Sequence, residues 1–335
     1  MKDKNLVSVV IPAYNSPDYT RKTIESVINQ THRPIEIILS DDNSPISLKP
    51  LVDEKQAECG PDLEIKYYRQ KENLNYYFNL QFVLSEAVGK YMVMLDHDDW
   101  LIDKHFFSDS IKTIEEMPDC YLSIANSLIE NAPQTMVHFN YQNWHYVDGI
   151  MLMKKNLFTN TIHTIHPQRA SVMLRFDKLK ELNYMEYFYS RETGQRLNLK
   201  PDADEAFVAI CLLASIGKIA LTGRVVSVRG VPPHSLSRSA WRIGLGQKTF
   251  IPYFRLYQHF ELTDCQDGVQ TMILNLVKRY PCENINFKIL KYLGYNRNAI
   301  KFMVLGVMWF NFKRIILFPL KIRTMVVMIV KKLLF

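Results

Sequence analysis

The stretch MVMLDHDDWL, residues 92–101, sets four apolar residues directly against three aspartates, Asp96, Asp98 and Asp99. Its apolar half reads as a buried strand, and like charges packed at the end of a strand repel unless a cation or hydrogen-bond donors compensate them. A hard divalent ion, Mg2+ or Mn2+, supplies that compensation when held by one or two carboxylates and the phosphate oxygens of a substrate. A plainer alternative is that Asp98 and Asp99 cap a helix beginning near Leu101, since acids are favoured at helix N-termini.

The sequence before this stretch decides between the fold classes. LVSVVIPAYN (6–15) is a β-branched run that reads as a buried parallel strand. SPDYTRKTIESVINQTH (16–32) predicts a helix with Ser16 as its N-cap and Pro17 at its first position. A second apolar run, IEIILSDDNS, stops at acids; DLEIKYYRQ predicts a strand, NYYFNLQFVLSEAVG a helix closed by Gly89, and KYMVMLDHDD another strand. Such alternation predicts right-handed βαβ crossovers and an α/β fold, a mostly parallel sheet with helices on both faces. Ligands bind beyond the carboxyl ends of such strands, where strand order switches. Here three strand ends carry PAYN, SDDNS and DHDD.

The sequence from 110 to 200 lacks a clean period, although ASVMLRF predicts a strand; this part is assigned an acceptor-facing role by elimination. PDADEAFVAICLLASIGKIALT (201–222) is clearer, with Asp202, Asp204 and Glu205 opening an apolar helix that Gly217 ends before a strand. VRGVPPHSLSRS (228–239) reads as a polar loop.

Composition narrows the class. With 47% hydrophobic and 22% charged residues the 335-residue chain is globular in type. Its five cysteines are scattered, without a C-x-x-C pair, which favours free thiols in a reducing compartment. No secretory signal is apparent in MKDKNLVSVVIPAYN, so the cytoplasm is expected. The net charge of +7 is uneven: ten basic and no acidic residues follow Glu283, leaving residues 1–283 slightly acidic.

That tail, residues 284–335, alternates apolar blocks with Lys and Arg. Its longest uncharged run, Phe302–Phe312, has 11 residues, short of the roughly 20 that span a bilayer. A basic, apolar-rich segment of this kind reads as helices lying on an anionic membrane surface, with a packed helical cap or a basic oligomer surface as alternatives. Nucleic acid is not expected as a partner, because the large aliphatics would be wasted on phosphate.

VSVVIPAYN, then IEIILSDDNS, then AVGKYMVMLDHDDW, in that order within about 100 residues, resembles the nucleotide-binding half of the family 2 glycosyltransferases. The resemblance is strong over about 5–110 and looser to about 240, through DADE and PHSLSRS. It implies an inverting enzyme of GT-A fold that uses a nucleotide-diphosphate sugar, UDP-linked, in polysaccharide, capsule or lipopolysaccharide assembly. It also implies Mn2+ or Mg2+ as cofactor and a glycan or lipid-linked glycan as acceptor. Carried over residue by residue, Pro12, Tyr14 and Asn15 line the nucleobase pocket and Asp42 hydrogen-bonds the base. Asp96 contacts ribose or sugar; Asp98 binds the metal, with Asp99 as neighbour and possible substitute.

The same resemblance implies that Asp204, in ADEAF, is the base that deprotonates the acceptor. Ala203 stands where the family has Glu, so Asp202 and Glu205 stay open as alternatives. The resemblance also implies that Arg229, His234, Ser235, Ser237 and Arg238 belong to a loop that closes over the diphosphate and supplies it with positive charge and hydroxyl donors. Three parts are expected: 1–110 binding the nucleotide sugar, 111–245 binding the acceptor and carrying the base and a lid loop, and 246–335 helical, basic and peripheral on the inner face of the cytoplasmic membrane. Two competitors are a nucleotidyltransferase, disfavoured by the absence of a Gly-rich loop near VIPAYNSPDY, and an inactive membrane-peripheral scaffold, disfavoured by the intact acids.

Overall fold

The computed structural model of the protein describes residues 5–132, 135–136, 139–152, 168–187 and 205–232. Strands β1 (Val7–Ala13), β2 (Ile35–Asp41), β3 (Leu63–Arg69) and β4 (Tyr91–Met94) lie parallel in the order β3-β2-β1-β4. Between them run α1 (Pro17–Ile28), α2 (Lys49–Ala57) and α3 (Asn75–Glu86). Every residue of β1 and β2 is buried, as continuous β-branched runs require when both faces of a sheet are covered. Alternate residues serve opposite faces. Val10, Ile38 and Met92 pack with Leu80 and Leu84 of α3, whereas Val9, Ile37 and Val93 pack with Ile24 and Val27 of α1.

The chain then adds β5 (Trp100–Leu101), α4 (Phe106–Glu116), β6 (Cys120–Ile129), β7 (Thr135–Met136), β8 (His145–Asp148) and α5 (Gly149–Leu152). After these come β9 (Val172–Arg175), α6 (Phe176–Glu181), α7 (Glu205–Ile216) and β10 (Lys218–Arg229). The sheet continues β4-β9-β6-β10-β5, with β9 antiparallel to both its neighbours and β6 parallel to β10. The expected mostly parallel α/β sheet is therefore one sheet that joins both halves of the described chain.

Two details position the site. Pro12 sits inside β1 rather than ending it, aligned with Ser40 of β2. In a parallel strand successive residues turn their polar groups to opposite neighbours, and Val7 and Ala13 bond toward β2 while Leu6 and Val10 bond toward Lys90, Tyr91 and Leu95. The missing N–H of Pro12 consequently faces the β4 side, where β4 has ended at Met94. The two strands part there, and because β2 and β4 flank β1 on opposite sides, this is the crevice where strand order switches.

The other detail is β5. Trp100 and Leu101 pair with Val228 and Ser227 of β10, and α4 begins only at Phe106. The acids at 98 and 99 are thus not the cap of a following helix.

Candidate functional site

The end of β1 turns sharply, with Asn15 and Ser16 both at positive φ (59° and 53°). Ser16 occupies the N-cap place expected for it, but its side chain makes no capping bond; its carbonyl accepts from the Thr20 amide at 3.0 Å. The turn leaves Tyr14 44% exposed at the crevice mouth. The Asn15 amide donates to Ser44 Oγ (2.8 Å), and the Asp42 amide to the Ala13 carbonyl (2.8 Å), joining the ends of β1 and β2.

The paired acids of SDDNS do different work. Asp41 is buried and accepts from the amides of Ser44 and Leu48, the Tyr67 hydroxyl and Arg69. Burial pushes its carboxyl up, but these donors outweigh burial and hold it below the usual range. It is the brace of the 41–48 loop. Asp42 accepts from the Leu74 amide (2.6 Å) at the start of α3; burial, aided by Asp41, leaves its carboxyl above the usual range.

The three acids after β4 also divide. Asp96 Oδ1 accepts from the Tyr76 hydroxyl (2.5 Å) and from Arg169 (3.0 Å), and Arg169 reaches its Oδ2 at 3.2 Å. Asp99 is 1% exposed; one of its oxygens accepts from Gln168 Nε2 and the other from the Gly230 amide at 3.0 Å. Burial pushes the Asp99 carboxyl well up, Asp96 and Asp98 add to that, and the two donors oppose it. Asp98 is half-buried, and no other side chain among the described residues hydrogen-bonds to it. Burial raises its carboxyl too, with His97 and Arg229 pulling the other way. The backbone of this turn is pinned from α1, where Thr23 Oγ1 reaches the carbonyls of His97 (2.9 Å) and Asp99 (2.7 Å).

Among the described residues no group of three His, Cys, Asp or Glu side chains is arranged to cage a metal. The acids still fit a hard divalent ion of the kind that takes most of its ligands from a substrate. Asp98 offers the uncommitted carboxylate, whereas both oxygens of Asp99 are engaged. Arg229 ends β10 close enough to Asp98 to act on its charge.

Of the residues expected from sequence, Pro12, Tyr14, Asn15, Asp42, Asp96, Asp98 and Asp99 lie at the ends of β1, β2 and β4. Asp202, Asp204, His234, Ser235, Ser237, Arg238 and the 246–335 segment lie outside the described residues, and Glu205 opens α7. Residues missed from sequence are Tyr76, Gln168, Arg169 and Gly230. The last three reach the acids from 69 to 131 positions away, a distance over which periodicity carries no signal.

Residues 8–182 match the family described as "Glycosyl transferase family 2". An uncharacterised glycosyltransferase of Rickettsia conorii is 30% identical over 169 residues, covering 50% of this chain and 25% of that protein. The Campylobacter jejuni GalNAc(5)-diNAcBac-PP-undecaprenol beta-1,3-glucosyltransferase is 36% identical over 101 residues, 29% of this chain and 30% of that one. The chain thus spans about a quarter to a third of the length of these curated relatives. In fold it is similar to S. aureus TarS 1–349 in complex with UDP-GlcNAc, with a TM-score of 0.58 at 14% identity over 90% of this chain and 79% of that one.

Proposed function

Because the chain belongs to the family 2 glycosyltransferases, we propose that it transfers a sugar, with inversion, from a UDP-linked donor to a glycan or lipid-linked glycan acceptor in surface-polysaccharide assembly. The observation that carries this reading is the meeting of Tyr14, Asn15, Asp42 and Asp98 at the ends of β1, β2 and β4, around the crevice that Pro12 opens. TarS, whose fold this chain shares, was captured with UDP-GlcNAc, and the Campylobacter relative is named for a diphospho-undecaprenol acceptor. Both support the donor and acceptor classes.

In this reading Pro12 and Tyr14 hold the nucleobase and Asp42 accepts its imide hydrogen. Asp96 accepts from a ribose or sugar hydroxyl. Asp98, rather than Asp99, is the metal ligand. Mn2+ or Mg2+, when bound there, neutralises charge on the departing diphosphate. Arg229, His234, Ser235 and Ser237 donate to the same phosphates. Asp204 takes the proton from the acceptor hydroxyl as its oxygen bonds to the anomeric carbon, on the face opposite the breaking bond to diphosphate. The 284–335 segment brings the enzyme to the inner face of the cytoplasmic membrane, where a lipid-linked acceptor would be found.

The test is thermal unfolding of the full chain with a panel of nucleoside diphosphates and nucleotide sugars, in Mn2+ and in EDTA. A ligand at 100 times its Kd stabilises by about 2.7 kcal/mol, so a uridine nucleotide should raise Tm by roughly 4 °C in Mn2+ and little in EDTA. A chain that no nucleotide stabilises under either condition would overturn the proposal.

A further inference from the structure

Gln168 and Arg169 are consecutive, yet they engage different acids: Gln168 holds Asp99 and Arg169 holds Asp96. The topology explains how. Strand β9 runs antiparallel to β4 with Met92 aligned to Leu174, and the same register carried past the strand end brings 168–170 level with Asp96 to Asp98. The 3-10 turn Arg169–Ser171 then presents the side chains to the acids. Arg169 is fixed further by its guanidinium lying 5.2 Å from the Tyr76 ring centroid. The Arg169 and Asp96 side chains are 21% and 23% exposed, sheltered enough for the ion pair to resist screening.

We propose that Arg169 is a positioning residue, an internal counter-cation that keeps Asp96 out of the metal shell, so that the donor-free protein offers a divalent ion Asp98 alone. This rests on the reading of Asp98 as metal ligand given above. With Asp99 held by Gln168 and Gly230 and Asp96 held by Arg169 and Tyr76, a motif of three acids presents one available carboxylate. Firm retention of the ion then requires the oxygens of a diphosphate. Metal and donor bind together, and the empty site does not become a trap for the ion. Arg169 also leaves Asp96 oriented by Tyr76 toward the crevice, as a hydroxyl acceptor needs to be.

The experiment measures Mn2+ affinity of the full chain without nucleotide, by the loss of the free-ion electron paramagnetic resonance signal, and again with saturating UDP. Arg169→Met keeps an unbranched stem against Tyr76 but removes the charge, and should tighten donor-free Mn2+ binding by about tenfold or more as a second carboxylate becomes available. Arg169→Lys should stay close to the parent, and Arg169→Met combined with Asp96→Asn should return to it. A structural role alone would weaken or leave unchanged the donor-free affinity.

Folded Arg169→Met with Mn2+ binding no tighter than the parent overturns the inference. Should that variant not fold, the parent alone decides: Mn2+ affinity that UDP fails to raise by about tenfold also overturns it. A parent that binds neither Mn2+ nor UDP under any combination overturns instead the reading of the site, and this inference with it.

Discussion

Gly230 donates its amide to Asp99 at 3.0 Å, and its α-carbon lies so close to the Asp98 carbonyl that an added Cβ would meet that oxygen at 1.8 Å. The end of β10 and the acid turn are therefore packed backbone on backbone. Substituting Gly230→Ala must push them apart, at a cost of about 1–3 kcal/mol by the usual penalty for overpacking. A lowered Tm together with loss of stabilisation by UDP and Mn2+ is expected. An unchanged response to UDP would mean that this contact does not shape the site.

The bonds made by Asp98 and Asp99 separate their variants. Asp98→Asn removes a carboxylate that other side chains do not hold, so folding stability should change by less than about 0.5 kcal/mol while metal-dependent stabilisation by UDP is lost. Asp99→Ala leaves the buried Gly230 amide and the Gln168 side chain without their acceptor, and should cost about 2–3 kcal/mol. Urea unfolding, with and without UDP and Mn2+, reads both quantities. The reverse pattern would move the metal to Asp99.

Glu36 offers a pH test away from the site. It is 3% exposed and accepts from Ser8 Oγ (2.5 Å), the Val88 and Gly89 amides (2.8 and 3.2 Å) and Lys66 Nζ (2.7 Å). Burial pushes its carboxyl up, but Lys66, Ser8 and Val88 outweigh burial, and the folded value lies below the ordinary one. A depressed carboxyl contributes stability above its unfolded pKa and loses it as pH falls through the folded value. Glu36→Gln should therefore cost about 2 kcal/mol at pH 7, and the gap from the parent should close as pH falls below about 4. A gap independent of pH would show that shape, not charge, is what Glu36 supplies.

How far the sequence foretells these features depends on what each residue answers to. β1, β2 and β4 were legible because strands covered on both faces must be apolar throughout, and α1 because Pro17 marks its start. Strand β6 was not, since CYLSIANSLI buries Ser123, Asn126 and Ser127. Asn126 is satisfied there by the carbonyls of Phe139 (2.9 Å) and Gly223 (3.0 Å), and Ser127 by Ser227 (2.7 Å). Those partners come from β10 and from the segment between β7 and β8, so local patterning cannot reveal that the polar positions are in the core. Helix α2 was missed for a related reason: only Leu51, Val52 and Lys55 are buried, too short a stripe to show a period. Within the site the acids were legible as a repulsion needing an answer. The answer for two of the three, Gln168 and Arg169, required the antiparallel pairing of β9 with β4.

The ten basic residues after Glu283, with no acid among them, lead to the last prediction. Among the described residues no helix is long and apolar enough to cross a membrane. Attraction of a basic segment to anionic lipid is worth about 1 kcal/mol per Lys or Arg near the surface, and salt shortens its reach to roughly 3 Å at 1 M. The full chain should float with vesicles rich in phosphatidylglycerol, float poorly with neutral phosphatidylcholine vesicles, and be released at least in part by 1 M NaCl. Neutral and anionic vesicles recovering equal amounts would remove the electrostatic role of 284–335. Flotation unaffected by salt would assign attachment to the apolar blocks FMVLGVMWF and MVVMIV instead, because hydrophobic insertion is not screened.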